Sequence, residues 1–96
     1  MAARLLRLYI AGNSASSRRA QQNLERLRAS LGTHGWDVDV IDVLERPDLA
    51  ERARIIATPT LSHDDTARTR RIVGDLGDTA RVLEFLGIDQ RIRHER

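Results

Sequence analysis

Apolar and polar positions first alternate in "LLRLYIA", residues 5 to 11, where Leu6, Leu8 and Ile10 share one face of an extended chain and Leu5, Arg7 and Tyr9 the other. Apolar groups on both faces predict a strand inside a sheet. "GNSASS" follows, a turn-forming cluster with three N-cap candidates, Ser14, Ser16 and Ser17, and it predicts a helix beginning near Ser17. Ala20, Leu24, Leu27 and Leu31 then recur at helical spacing, one stripe for packing on a sheet, while Arg19, Gln22, Glu25 and Arg26 point outward. Gly32 and Gly35 are expected to stop that helix.

The run "DVDVIDVL" predicts a second strand over 38–44, with apolar groups on both faces at Val40 and Ile41, as where a strand enters a covered sheet. Strand, helix, strand is by default a right-handed parallel unit. Pro47 suits a first helical position and Asp48 the first turn, so a short second helix is expected, with Leu49, Ala53 and Ile56 as its buried stripe. "TLSH" and "TRRIV" flank Asp64, Asp65, Thr66 and Ala67, and residues 60 to 74 read as an antiparallel pair. After "GDLGD", Asp78 can cap a last helix with Thr79, Val82, Leu83 and Leu86 on one side and Gly87 closing it. The reading is an α/β domain over residues 1–88, order β-α-β-α-β-β-α, followed by a charged, solvated C-terminal tail over residues 89–96.

At 96 residues the chain has room for one core. All 16 basic residues are arginine, so the pI near 10.3 overstates a net charge of only +2. With three aromatic residues there is no stacking platform for single strands, and nucleic acid is a poor fit as a partner. Arginine suits bidentate contact with carboxylates, which points to an acidic protein partner. No apolar run approaches a bilayer span, and Arg7 interrupts the apolar start with no cleavage site after it, so a cytoplasmic protein without membrane contact is expected.

The absence of cysteine removes disulfides, thiolate metal sites and a redox nucleophile. His34, His63 and His94 lie far apart without metal-ligand spacing and read as solvated loop or tail residues. Asp37 and Asp39 would face away from Asp42 on a strand, so no metal is expected there. Ser14, Ser16 and Ser17 could suggest a nucleophile or phosphate cradle, but no histidine base or P-loop pattern accompanies them, and capping is the better reading. Trp36, between a glycine and an acidic strand start, reads as a structural staple.

The element order resembles the thioredoxin-like fold, and "IIATPTL", residues 55 to 61, resembles the cis-proline turn that such folds carry before their third strand. A cis bond at Thr58-Pro59 is therefore implied. "AGNSASS" occupies the loop where a redox member has its dithiol. More narrowly, "LRLYIAGNSASSRRA", "VIDVLERPDLAERARIIATPTL" and "RRIVGDLGD" resemble, in order and spacing, the KaiB family of circadian clock proteins over roughly residues 4 to 83.

That resemblance implies a non-enzymatic, cofactor-free regulator that docks on KaiC, a ring-shaped ATPase, with a link to a clock-output histidine kinase pathway, in circadian or related timing or stress signalling. It implies basic contact residues at Arg19, Arg54 and Arg71, with Arg70 a fourth, and loop-shaping roles for Gly12, Asn13, Thr58 and Pro59. KaiB is a fold-switching family, so the alternative fold class is its ground-state order, β-α-β-β-α-α-β, in a homo-oligomer. Here "SHDDTART" replaces the family's proline-bearing loop and the residues before Gly87 favour helix, so the thioredoxin-like state is expected at rest. The alternative function is a redox-inactive adaptor for another signalling protein. A glutathione-type transferase is disfavoured because the usual added helical domain is missing.

Overall fold

A computed structural model describes residues 4–64 and 69–87. The elements are β1 (Arg4–Ile10), α1 (Ala15–Thr33), β2 (Trp36–Asp42), α2 (Pro47–Ala53), β3 (Thr60–Asp64), β4 (Thr69–Val73) and α3 (Thr79–Leu86), in the expected order. Most of the expected hairpin loop, the domain boundary at 88 and the tail over 89–96 lie outside the described residues.

The four strands form one mixed sheet in the order β2-β1-β3-β4. β1 runs parallel to β2 and antiparallel to β3, and β4 closes an antiparallel pair with β3. The register places Leu8 opposite Leu61, and Leu61 opposite Ile72. These residues therefore share one face with Leu6, Ile10 and Trp36. On that face they meet the α1 stripe Ala20, Leu24, Leu27 and Leu31 and the α3 residues Val82, Leu83 and Leu86 in a single core. α2 lies at the opposite face, where the Arg71 guanidinium donates to the carbonyls of Ala53 and Arg54.

Local chemistry explains the departures from the sequence reading. α1 starts two residues earlier than expected, because Ser14 is the cap: its Oγ accepts the Ser17 N–H at 3.2 Å. Ser17 turns its own fully buried hydroxyl backward to accept the Ala11 N–H at 3.0 Å, tying the helix start to the end of β1. Gly32 stays inside the helix, and the reversal falls at His34 and at Gly35, whose φ is +79°.

β2 is shifted two residues toward the N-terminus and is an edge strand rather than a covered one, so Ile41 is buried while Val40 is 41% exposed. α2 has no buried residue, and Ile56, expected in its buried stripe, is 98% exposed. The cause is Arg54, which ends α2 in the left-handed conformation and turns the chain before Ile56 can follow the helical stripe. In α3, Asp78 caps the Arg81 N–H as expected, whereas Thr79 is exposed, one turn ahead of the buried stripe.

His63 is a β3 residue rather than a solvated loop residue. Its ring meets Trp36 edge-on with centroids 4.8 Å apart, and Trp36 is buried as a staple of this end of the core. His34 is exposed at the end of α1, and His94 lies outside the described residues.

Substitution of the buried Leu24 by alanine is expected to destabilise the domain by about 2 to 5 kcal/mol. Ser17→Ala, which orphans the Ala11 N–H, should cost about 1 to 3 kcal/mol. Ile56→Ala should stay within about 0.5 kcal/mol of the parent, as befits a surface residue. Urea unfolding monitored by Trp36 fluorescence checks all three, and a large loss at Ile56 would contradict its exposed position.

Candidate protein-binding site

Two loops meet at the end of the sheet where β1 leaves it, because Tyr9 pairs with Thr60 and so brings the residues after β1 beside the turn before β3. In the first loop Gly12 has a φ of +56°, and its N–H donates to Asp42 Oδ1 at 3.0 Å. The same oxygen accepts the Leu44 N–H, so one carboxylate organises both the β1–α1 and β2–α2 connections. Asn13 contributes its carbonyl, which accepts from Arg18 Nη1 at 2.6 Å. In the second loop Thr58-Pro59 is cis, as the resemblance implied. The Pro59 carbonyl accepts the Gly74 N–H at 3.0 Å, and the Thr60 hydroxyl donates to the Ala57 carbonyl at 2.6 Å. All four loop-shaping residues therefore sit at one end of the sheet, in an arrangement with no thiol to perform exchange.

The four arginines do not form one patch. Arg54 and Arg71 come together: Arg71 reaches from β4 across to the end of α2 and donates to the Arg54 carbonyl at 3.2 Å and to that of Ala53. With Arg52 and Thr69 they line an open cleft of about 540 Å³. Arg52, Arg54 and Arg71 make no ion pair among the described residues, and the described lining of the cleft is cationic. Arg70 neighbours Arg71 in β4 but faces the other side of the sheet. It donates to the Phe85 carbonyl and stacks 5.2 Å from that ring, a packing role that secures α3.

Arg19 is tied to the segment after β4, its Nε 3.0 Å from Asp75 Oδ2. The hydrogen bond from Arg19, then that from the Gly77 N–H, holds the Asp75 carboxyl below its ordinary range. Asn23 donates to the Asp75 carbonyl at 2.8 Å, and the next residue, Leu76, is buried with a φ of +65°. Arg19 thus anchors a tight turn, and about half of its side chain stays open to a partner.

Sequence reasoning missed Arg52 as a lining residue, Asp42 and Asp75 as loop organisers, and Ile56 as an exposed apolar group. Asp42 carried a readable signal, since an aspartate two residues ahead of a free backbone N–H forms an Asx turn. Among the described residues no group of three histidine or acidic side chains could hold a metal ion, and no helix is long and apolar enough to cross a membrane.

A mixed sheet between helices, with a cis-proline turn and no dithiol, defines a thioredoxin-like domain. Solved structures agree on the fold. The chain superposes on mitochondrial thioredoxin 3 of Saccharomyces cerevisiae with a TM-score of 0.74 at 20% identity, covering 91% of this chain and 80% of that one. It superposes on the N-terminal domain of Synechococcus elongatus SasA with a TM-score of 0.68 at 23% identity, covering 94% and 89%.

The KaiB domain model matches residues 7–88, and the chain belongs to the KaiB family. It is 45% identical over 85 residues to the circadian clock oscillator protein KaiB of Parasynechococcus marenigrum, covering 88% of this chain and 80% of that protein. To the circadian clock protein KaiB3 of Synechocystis it is 44% identical over 86 residues, covering 88% and 81%. Membership supports a regulatory role in a clock system. Its relatives are named as clock proteins, not as enzymes.

Gly12→Ala would place a Cβ 2.9 Å from Leu44 Cδ1 at a backbone angle that alanine disfavours. Leu44 is 70% exposed and can swing away, so the backbone term remains, an expected loss of about 1 to 2 kcal/mol by thermal or urea unfolding. The Arg19 pair adds a pH dependence. Because the folded Asp75 titrates below its unfolded value of 3.8, the stabilisation is present above that pH and disappears as pH falls through the depressed value. Acid unfolding followed by fluorescence should show this contribution below about pH 4 in the parent, weaker in high salt, and should lack it in Asp75→Asn.

Proposed function

We propose that the chain is a non-enzymatic regulator that binds a KaiC-type ring ATPase in circadian or related timing signalling, in the cytoplasm and without a cofactor. The observation that carries this reading is the juxtaposition of Arg54 and Arg71 in a KaiB-family domain, on a cleft that no carboxylate lines among the described residues. Three guanidinium groups on a rigid strand and helix end suit an acidic protein surface, since each offers paired donors to a carboxylate. Ile56, two residues after Arg54 and 98% exposed, offers an apolar contact. Arg19 and Arg70 act beside this centre, one by holding the Asp75 turn and the other by fixing α3, so their loss acts on the shape of the surface as much as on its charge. Residues 1–88 would form the binding domain and 89–96 a charged tail, with the thioredoxin-like state as the resting, binding-competent one.

The test is size-exclusion chromatography with light scattering, mixing the protein with the KaiC-type ATPase of the same genome in ATP and in ADP. Nucleotide-dependent co-elution is expected. Arg54→Glu and Arg71→Glu should each weaken the complex by about tenfold or more, equivalent to about 1.4 kcal/mol or more, with unchanged circular dichroism. Separate elution in both nucleotides would reject the ATPase as partner and leave the chain as an adaptor for another signalling protein.

A further inference from the structure

The outer edge of β4 has a backbone polarity that the arginine cleft complements. Gly74 N–H donates to the Pro59 carbonyl, which makes Gly74 and Pro59 a hydrogen-bonded pair at the end of the β3–β4 ladder. Antiparallel pairs alternate, so Ile72 with Leu61 and Arg70 with His63 are the inward-bonded pairs. The N–H and C=O groups of Thr69, Arg71 and Val73 consequently point away from β3, along the open side of the last strand in the sheet. Their side chains all lie on the α2 face, where Thr69 and Arg71 line the cleft with Arg52 and Arg54, and Val73 is 57% exposed.

We infer that this edge receives an extended peptide segment, added antiparallel to β4, whose alternate side chains are acidic on the cleft face. Direction and sequence follow from geometry. In an antiparallel pair the residue exchanging both hydrogen bonds with Arg71 projects its side chain to the same face as Arg71, so a carboxylate there meets the guanidinium. The residue two positions away toward Thr69 lies about 7 Å along the strand and falls within the same cationic cleft, next to Arg52 and Arg54. The residue paired with Val73 is apolar. Intervening residues face the other side and carry little selectivity. Charge complementarity chooses this occupant, because the cleft holds three arginines that make no ion pair among the described residues. A basic or purely apolar strand would leave them uncompensated.

The inference shares Arg54 and Arg71 with the ATPase reading but goes beyond it, since the occupant is set by peptide chemistry whichever protein carries the segment. Its test needs no ATPase. A capped heptapeptide with glutamate opposite Arg71 and Thr69 and valine opposite Val73 is titrated into the isotope-labelled full chain. Two isomers are added, one N-methylated on the glutamates, whose N–H groups would bond to β4, and one on the intervening residues, whose N–H groups would point to solvent. The parent peptide and the second isomer should bind alike, slow amide exchange at Thr69, Arg71 and Val73, and weaken at least tenfold in Arg71→Glu. Glutamate methylation should cost at least tenfold. Equal binding of both isomers would reduce the site to an ionic patch and overturn strand addition, as would binding without amide protection or no binding at all. Such a failure leaves the ATPase reading standing, because that complex is read independently by co-elution.

Discussion

β1 is, with β3, one of the two inner strands of the described sheet, and its backbone must be satisfied on two sides where its side chains are excluded from water. Leu6 and Leu8 are fully buried, so the N–H and C=O groups along this stretch have partners only in β2 and β3. An unpaired buried backbone group costs about as much as a lost hydrogen bond or more, which forces both neighbours into register. The parallel register with β2 carries the chain through α1, and the antiparallel register with β3 carries it through the Pro59 turn. Both loops at this end of the sheet are therefore consequences of where β1 stops. The hydroxyl of Ser17, accepting from Ala11, is the point at which that stop becomes the start of a helix.

Much of this architecture was legible in the residues because the apolar periodicities are strong where burial is one-sided. The stripe of α1, the alternation of β1 and the Asp78 cap all express a single physical demand and occur where expected. β2 and the region after α2 were misread for a common reason. A pair of adjacent apolar residues, Val40 with Ile41 or Ile55 with Ile56, looks the same whether it lies in a covered strand, an edge strand or an exposed turn. Only the tertiary placement decides. At Ile56 the deciding feature is the left-handed Arg54, which has no marker in the sequence because the conformation is usually given to glycine or asparagine.

The arginines show the same division. Their identities and positions could be carried over from a family resemblance, yet the side of the sheet each one serves depends on strand parity. Arg70 and Arg71 are neighbours in sequence and are assigned to opposite faces by the pleat, one to Phe85 and the core helix, the other to the end of α2. A doublet that reads as one basic motif is thus a packing residue and a surface residue.

The choice of arginine over lysine has a structural consequence at the cleft. Arg71 spends two of its donors on the carbonyls that α2 leaves open at its end, satisfying groups that would otherwise face solvent at the negative pole of the helix. A guanidinium retains further N–H groups in the same plane after making those bonds, whereas an ammonium held by two carbonyls would have a single donor left. One side chain can therefore close a helix end and still present a directed contact to a carboxylate. The two hydrogen bonds join the end of α2 to β4 and so fix the direction in which the remaining N–H groups of Arg71 point.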